Sequence, residues 1–305
     1  MSSPAPRRLA VVAHPVDAYS PRRLAQAARE QGHEVALVDA RRVSASAART
    51  LLLDGWPVEA DGAVHILSTD FPNALDVLER CRATLPVLNP RDACLRSADK
   101  HATYLALLAA GVPTPATTRC TTDAELLAAA ERHGWPAVVK RPDGSGGEQV
   151  RLARDPAQLR ACAAELRRGG GPLLVQRFVA RSSGTDLRLV VVGGAVVAAG
   201  RRVALPGEFR SNLAQGGHGE RAEPTERECE LAVRAAAAVG LDVAGVDVLA
   251  DDDGPVVLET NSFPGLYDIE PLTGVDVAGA VVALLADRLR AAAGSDDGLG
   301  EAREA

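Results

Sequence analysis

Short apolar runs alternate with longer amphipathic stretches along the first part of the chain. Residues 7–14 form a compact apolar run bounded by charged residues and His-Pro, which is typical of a buried strand. In the stretch that follows, Ser20 is a suitable N-cap, Pro21 suits the first helical turn and Gly32 predicts the helix end. Further strands are predicted at 33–39, 62–68 and 85–89, with a helix at 73–83. This alternation predicts a doubly wound α/β domain with a parallel sheet over residues 1–92.

The rest of the chain divides into two segments and a tail. Residues 93–175 open with a helix between Ser97 and Gly111, then show a strand, a glycine-rich turn and a second strand. Residues 176–291 alternate strands with helices. Across the two segments, strands are predicted at 171–179, 186–194, 195–205, 242–250 and 254–260, and helices at 155–168, 225–240 and 276–290. The small and charged residues 292–305 predict a disordered tail.

Composition argues against several classes of function. The 305 residues carry a net charge of -6 with no basic stripe, so we expect no nucleic-acid partner. The five cysteines form no Cys-x-x-Cys pair, which argues against a zinc site or a disulfide framework and favours a reducing cytoplasm. No apolar run is long enough to cross a bilayer, and we expect no membrane partner.

A lysine beside a glycine-rich loop is the first candidate for chemistry. Lys140 ends an apolar strand directly before "RPDGSGG". An ammonium group supplies point charge and glycine lets backbone amides approach oxygen closely, so this arrangement suits a phosphate. The alternative is an exposed, charged hairpin tip. The sequence contains neither a Walker loop nor the Gly-x-Gly-x-x-Gly fingerprint of dinucleotide-binding domains.

A polar turn at residues 209–217, "FRSNLAQGG", is the second candidate. The planar donor fork of Arg210 suits phosphate oxygens, and Asn212 suits a cation or an oxygen. Arg201 and Arg202 add positive charge nearby. The alternative is a solvated loop.

Two strands near residue 250 carry the sharpest signal. Asp247 interrupts an apolar strand, and a buried carboxylate is costly unless it is paired or bound to metal. The tight turn "DDDG" predicts that the next strand pairs antiparallel with this one. That pairing would bring Glu259 and Asn261 close to Asp247. These two residues project from one side of their strand because side chains alternate. Three oxygen ligands suit Mg²⁺, although Asn and Ser at a strand end are also typical of an ordinary turn.

Together these motifs resemble the ATP-grasp superfamily, and within it the RimK-type carboxylate-amine ligases. The resemblance extends from residue 7 to residue 289. Its most specific parts are "GTDLRLVVVGG", "FRSN" with "GG" shortly after, "DVAGVDVL" and "ETNSFPGLYDIE". It implies an α/β fold of the ATP-grasp type, in which the N-terminal doubly wound domain (1–92) precedes two α+β subdomains that clasp ATP. The central subdomain (93–175) would carry a glycine-rich lid and the C-terminal one (176–291) a magnesium site.

The resemblance also implies roles at matching positions. ATP contacts are implied for Lys100, Lys140, Ser145, Gly146, Gln176, Arg177, Phe178, Asp186, Arg210, Ser211 and Asn212. Among them the lysines would contact phosphates, the backbone at Arg177 and Phe178 would recognise adenine, and Asp186 would bind the ribose. Asp247, Glu259 and Asn261 would hold two Mg²⁺ ions, with Mn²⁺ as the alternative metal and Glu259 as the bridge. Arg202 and Arg210 would stabilise charge on the transferred phosphoryl group.

The implied reaction is ATP-dependent amide formation through an acyl phosphate. An amino acid such as glutamate would be joined to a peptide, a protein C-terminus or a small metabolite, and relatives form dimers or tetramers. The alternatives are a ligase of natural-product or modified-peptide synthesis and a non-catalytic nucleotide-binding protein. The chain departs from the family at Arg177-Phe178, at Val203, where a second arginine is expected, and at residues 66–70. At Arg177-Phe178 backbone recognition of adenine would survive the change. The other two departures lie in regions that shape the acceptor pocket, and they predict a substrate that differs from that of the ribosomal-protein glutamate ligase.

Overall fold

The N-terminal part of the computed structural model is the predicted doubly wound domain. The structure describes residues 6–144, 146–167, 170–212 and 215–300, with side chains up to Ala293. The first elements are β1 (Arg8–Ala13), α1 (Tyr19–Glu30), β2 (Glu34–Asp39), β3 (Val43–Ala45), β4 (Leu51–Leu53), β5 (Trp56–Pro57), β6 (Gly62–Ile66), α2 (Pro72–Cys81) and β7 (Val87–Leu88). Strands β2, β1, β6 and β7 form a parallel sheet in that order, and β3–β5 form a small antiparallel sheet.

The central part is an antiparallel sheet flanked by helices. Its elements are α3 (Arg91–Ala98), α4 (Lys100–Ala109), β8 (Thr117–Cys120), α5 (Asp123–His133), β9 (Ala137–Lys140), β10 (Val150–Ala153), α6 (Pro156–Leu166) and β11 (Leu173–Arg177). The sheet order is β10-β9-β11-β8. Helices α5 and α6 cover it, and α5 begins with a capping box in which Thr122 and Glu125 bond each other's backbone. Helices α3 and α4 instead pack against the C-terminal sheet, through Ala93 and Leu107.

The C-terminal part is a five-stranded antiparallel sheet with helices on both faces. Its elements are β12 (Thr185–Val192), β13 (Ala195–Val203), β14 (His218–Arg221), α7 (Glu226–Val239), β15 (Val243–Leu249), β16 (Val256–Asn261), α8 (Leu266–Thr273) and α9 (Val277–Gly300). The strand order is β14-β13-β12-β15-β16. Helix α9 packs against both the N-terminal and the C-terminal sheet, so the two share one hydrophobic core.

Some predicted boundaries change. Helix α4 is capped by Asp99, whose carboxylate accepts from the amides of His101 and Ala102, whereas the predicted cap Ser97 lies inside α3 and donates to Thr260. The sequence predicts a helix that ends at 290, yet α9 continues to Gly300, through residues 292–300 of the predicted tail. The alanines at 291–293 are strong helix formers and favour the first part of this extension. Residues 301–305 lie outside the described part of the chain.

Two further predictions concern cysteines and membranes. All five cysteines are free thiols in the structure. Within the described ranges, no single helix has the length and apolarity needed to cross a bilayer. Only the pair Leu266–Thr273 and Val277–Ala293, bent by 113°, meets those limits when its two helices are taken together.

Candidate active site

A cleft of about 1150 Å³ lies between the central sheet, the C-terminal sheet and the end of the N-terminal domain. This volume is above the usual range for a single small-molecule site, so two ligands can share it. The cleft is lined by the predicted residues Lys100, Lys140, Gly146, Gln176, Arg177, Phe178, Asp186, Arg202, Arg210, Ser211, Asn212, Asp247, Glu259 and Asn261. Ser145 lies outside the described residues. The sequence motifs therefore converge on one cavity.

The predicted metal ligands lie on a pair of antiparallel strands. Asp247 on β15 lies directly opposite Glu259 on β16, and Gly245 lies opposite Asn261. This confirms the antiparallel pairing predicted from the tight turn between the strands. A register irregularity follows Asp247, and its carboxylate is almost completely buried, with 1% of its surface exposed. Both residues line the cleft.

Four charged side chains form a chain of ion pairs across this floor. Arg202 lies opposite Asp186 across β12 and β13, and Arg188 lies opposite Asp247 across β12 and β15. Because Asp186 and Arg188 are two residues apart on β12, both pairs lie on the same face. Arg202 Nε donates to Asp186 Oδ1 at 2.7 Å, and its Nη2 lies 2.7 Å from Asp247 Oδ2. Arg188 Nη2 also donates to Asp247 Oδ2, at 3.0 Å.

This ion-pair chain engages the carboxylates of two predicted site residues, Asp186 and Asp247. Both oxygens of Asp186 accept from Arg202, so in this structure its carboxylate is engaged by protein rather than free for a ribose. Burial raises the pKa of Asp247, but Arg188 and Arg202 outweigh it and hold the pKa below its usual value. Burial alone would lower the pKa of Arg202, and Asp247 and Asp186 raise it instead. Asp247 and Arg202 therefore stay ionised.

The donor set suits a hard cation, with one condition. Glu259 has no hydrogen-bond or ion-pair partner among the described residues, and Asn261 uses its amide nitrogen on Gly245 O, which leaves the amide oxygen for a ligand. Both oxygens of Asp247 are engaged by guanidinium groups, so we expect it to become a full ligand when one of these groups moves. The described part of the chain contains no group of three His, Cys, Asp or Glu side chains placed for a metal, so the set depends on Asn261.

Lys140 projects into the cleft from the end of β9 and is held by a buried hydrogen-bond chain. Its ammonium donates to Gln176 Oε1 at 2.9 Å, and Gln176 Nε2 donates to Thr117 Oγ1 at 2.8 Å. Burial lowers the pKa of Lys140 to about 8, while Glu259 acts in the opposite direction. Gln176, predicted as an ATP contact, therefore positions Lys140.

The glycine-rich loop lies against the "FRSN" turn. Arg210 Nη1 donates to Gly147 O at 2.8 Å, Gln215 Nε2 donates to Gly146 O at 3.0 Å, and Lys100 donates to Gly144 O from the other side. A Cβ on Gly147 would lie 2.6 Å from Asn212 Oδ1, so the close approach requires glycine. The lid-like loop and the polar turn thus meet over the cleft.

Arg210 and the hinge residues have protein partners as well. Glu208 accepts from Arg210 Nε and Nη2 at 3.0 and 2.8 Å, and this arginine lowers the pKa of Glu208 to about 2. Arg177 pairs with Asp251, and its amide donates to Ala116 O. The Phe178 ring meets the Phe209 ring edge-on at 6.3 Å.

Sequence reasoning missed the residues at the far end of the cleft. Arg188, His14, Asp70, Tyr267 and Asp268 line this end, beside the N-terminal domain. Arg188 carried a usable signal, because it follows Asp186 by two residues on one strand. The other four come from loops and helix ends, where no periodicity indicates which way a side chain points.

Comparison with known proteins identifies the family. Residues 97–285 match the sequence profile of the RimK-like ATP-grasp domain. The chain is 39% identical over 296 residues to the probable alpha-L-glutamate ligase of Xanthomonas axonopodis pv. citri, covering 94% of this chain and 100% of that relative. The chain belongs to the RimK-like ATP-grasp family. A probable alpha-L-glutamate ligase of Thioalkalivibrio sulfidiphilus is 38% identical over 292 residues, covering 93% of this chain and 96% of its own.

Solved structures of RimK-like and other ATP-grasp proteins share the fold. The RimK domain ATP-grasp protein from Sphaerobacter thermophilus has a TM-score of 0.71 at 24% identity, covering 91% of this chain and 99% of that chain. The ATP-grasp ligase PsnB, solved with its minimal precursor, Mg and ADP, has a TM-score of 0.72 at 22% identity, and the match covers 92% of this chain and 98% of that chain. The predicted fold class is confirmed. Family membership also confirms the enzyme class, an ATP-dependent carboxylate-amine ligase.

Proposed function

We propose that this enzyme uses Mg²⁺ and ATP to join an α-amino acid of the glutamate type to the carboxylate of a peptide, a protein C-terminus or a small metabolite. The observation that carries the proposal is the opposed pair Asp247 and Glu259, with Asn261 beside them, in the same cleft as Lys140. The naming of relatives at 39% and 38% identity as probable alpha-L-glutamate ligases supports the choice of amino acid.

Residues in different parts of the cleft would contact the phosphates, the metal ions and the adenine of ATP. Lys140, aligned by Gln176, and Lys100, next to the glycine-rich loop, supply positive charge for ATP phosphates. When bound, two Mg²⁺ ions, or Mn²⁺ in their place, neutralise phosphate oxygens. Glu259 and Asn261 would hold them, and Asp247 would join once an arginine releases it. Adenine would lie at Phe178 and Phe209.

The reaction requires charge stabilisation and exclusion of water more than a nucleophilic side chain. The substrate carboxylate attacks the terminal phosphoryl group of ATP, which gives an acyl phosphate and ADP, and the amine then displaces phosphate. Arg202 and Arg210, the latter bonded to the glycine-rich loop through Gly147 O, would stabilise charge during these steps. Contact between that loop and the "FRSN" turn shields the acyl phosphate from hydrolysis.

Replacing Glu259 tests the proposed metal and phosphate site. We expect Glu259→Gln to lower ADP release by at least about 100-fold, because it removes a charge that the reaction needs while keeping the shape of the side chain. ADP release is measured across a panel of amino acids and carboxylate acceptors, with product masses. Glu223→Gln, on an exposed residue outside the cleft, is the matched control and should keep full activity. Turnover at the wild-type rate by a folded Glu259→Gln enzyme would refute the role.

A further inference from the structure

One carboxylate at the far end of the cleft has no part in the reaction described so far. Asp268 is the third residue of α8, which begins after Gly265, and its side chain lines the cleft beside Tyr267. The Tyr267 hydroxyl acts on this carboxylate and lowers its pKa. Among the described residues Asp268 has no ion-pair partner, although Arg188 and Arg202 are near enough to act on it electrostatically.

Asp268 and Arg188 lie against the same turn. A Cβ placed on Gly245 would be 3.1 Å from Arg188 Nη1 and 3.3 Å from the Cα of Pro264. A Cβ on the next residue of that turn, Gly265, would be 3.8 Å from Asp268 Oδ2. A guanidinium and a carboxylate thus border one corner of the cleft. Such a pair is complementary to a molecule that carries both an ammonium and a carboxylate.

The chemistry requires a negative charge in this corner. An amino acid enters as an ammonium ion, and its nitrogen must lose a proton before it can attack an acyl phosphate. The cleft floor already contains two arginines, and the carboxylates of Asp186 and Asp247 are taken by them. Glu259 is assigned to metal. The charges of the floor therefore cancel, and Asp268, which has no ion-pair partner among the described residues, is a carboxylate that can receive an ammonium.

We propose that Asp268 binds the ammonium of the incoming amino acid and accepts its proton, while Arg188 faces the amino acid's own carboxylate. The inference rests on the proposed function and specifies its amine site. The ammonium gives one proton to the Asp268 carboxylate, and the freed nitrogen lone pair forms the C–N bond. The C–O bond to phosphate then breaks with its electron pair on the phosphate oxygen, and the departing phosphate takes the second proton from nitrogen.

The surroundings of Asp268 suit this exchange. Partial burial raises the pKa of Asp268 above its ordinary value, and the Tyr267 hydroxyl and the charges of Arg188 and Arg202 act against that rise. A raised pKa makes a carboxylate a better acceptor for an ammonium proton.

The test compares two nucleophiles on one variant. Hydroxylamine is uncharged at neutral pH, so it attacks an acyl phosphate without an ammonium site or a general base. We expect Asp268→Asn to lower kcat/KM for the amino acid by about 100-fold and to leave hydroxamate formation within about threefold of wild type. Asp268→Glu should restore part of the lost rate. Asp252→Asn, on the exposed turn between β15 and β16, is the control and should change neither reaction.

A second variant measures the proton directly. Tyr267 is 62% exposed, so Tyr267→Phe should fold normally while it removes the hydroxyl that acts on Asp268. Because that hydroxyl lowers the pKa of Asp268, the acid limb of the pH profile for amino-acid ligation should move to higher pH in the variant. The hydroxylamine reaction should keep its pH profile.

Four results would overturn the inference. Equal losses with both nucleophiles in Asp268→Asn would show that Asp268 supports acylation instead, and unchanged kinetics would remove it from the reaction. A selective loss in Asp70→Asn, on the opposite wall, would move the amine site to the N-terminal domain. A wild-type enzyme that forms no hydroxamate with any carboxylate would refute the proposed function, and this inference with it.

Discussion

Lys140 carries its charge in a place where burial disfavours it. The side chain is 4% exposed, and its ammonium donates to Gln176 within a chain that ends at Thr117. Water cannot solvate the charge, so the pKa falls from 10.5 to about 8. The ammonium is thus poised to gain from a phosphate group that enters the cleft.

This shift predicts a pH dependence of nucleotide binding. Free enzyme loses the Lys140 proton as the pH rises through about 8, so the affinity for ATP should fall about tenfold between pH 7 and pH 9.5. Because bound phosphate favours the ammonium, binding near pH 8.5 should take up protons. Calorimetry in buffers of different ionisation enthalpy measures both effects. Lys140→Arg stays charged and should bind with little pH dependence; the same fall in that variant would contradict the assignment.

The same shift also affects stability, with a defined sign. The folded-state pKa of Lys140 lies below its value in the unfolded chain, so burying the ammonium costs the most below pH 8. That cost is relieved between pH 8 and 10.5, where the folded protein has lost the proton and the unfolded chain has kept it. The contribution of Lys140 to the free energy of unfolding therefore rises over this interval.

Strands β12, β13 and β15 pair buried charged residues across the floor of the cleft, and this pairing offsets the cost of burying the charges. Each strand places its charged residue on the same face, directly opposite a residue of the other sign on its neighbour. Arg202 belongs to both pairs, because it contacts Asp186 and Asp247. Removing it would leave Asp186 without its ion-pair partner and Asp247 with Arg188 alone.

We therefore expect Arg202→Met to lower the free energy of unfolding by about 3–5 kcal/mol. Its neighbour Arg201 is the matched control, because it lies on the exposed face of the same strand. Arg201→Met should change the free energy of unfolding by less than about 0.5 kcal/mol. Urea denaturation of the three proteins checks the difference. Similar stabilities for both variants would contradict the role of the ion-pair chain.

The elements that sequence patterns predicted best were those with a long apolar period and clear ends. Strands β1, β12 and β15 and helix α7 appear close to their predicted places. Helix α8 was missed because a turn containing Pro264 precedes it and Pro271 interrupts its pattern. The short strands β3–β5 have too few residues to show alternation.

The N-terminal and C-terminal domains behave as one packed body. Helix α9 contributes Val277, Val281 and Leu285 to a core that also contains Leu9 and Val190 from the two sheets. Asn89 strengthens this junction from the end of the first domain. Its side chain donates to Val243 O and Ser262 O and accepts from the amides of Asp242 and Val243.

Removal of this junction should weaken the whole fold. Asn89→Ala leaves four backbone groups without their partner, and because Asn89 is 3% exposed, water cannot easily replace it. We expect a loss of about 3 kcal/mol or more in the free energy of unfolding, measured by denaturant titration. The exposed Asn73 on α2 is the control, and Asn73→Ala should have little effect. Equal effects of both variants would contradict this account of the domain junction.

The sequence predicted those site residues that stand out from their neighbours along the chain, and it did not predict contacts that depend on the fold. Asp247 and Glu259 stood out because carboxylates are rare beside apolar runs, and a tight turn fixed their pairing. The arginines that occupy Asp247 could not be predicted, because alternation assigns a face to a side chain but not a partner. Asp268 lines a cleft that forms between the N-terminal, central and C-terminal parts of the chain, and a local sequence pattern does not indicate contacts between distant parts.

Isotope transfer from substrate to phosphate tests most directly that this cleft activates a carboxylate by phosphorylation. The acceptor found in the substrate panel is labelled with ¹⁸O in its carboxylate and incubated with enzyme, ATP, Mg²⁺ and the amino acid. The account predicts that each phosphate released carries one ¹⁸O, because the acyl phosphate breaks at the carbonyl carbon. Ligation that releases unlabelled phosphate would contradict it.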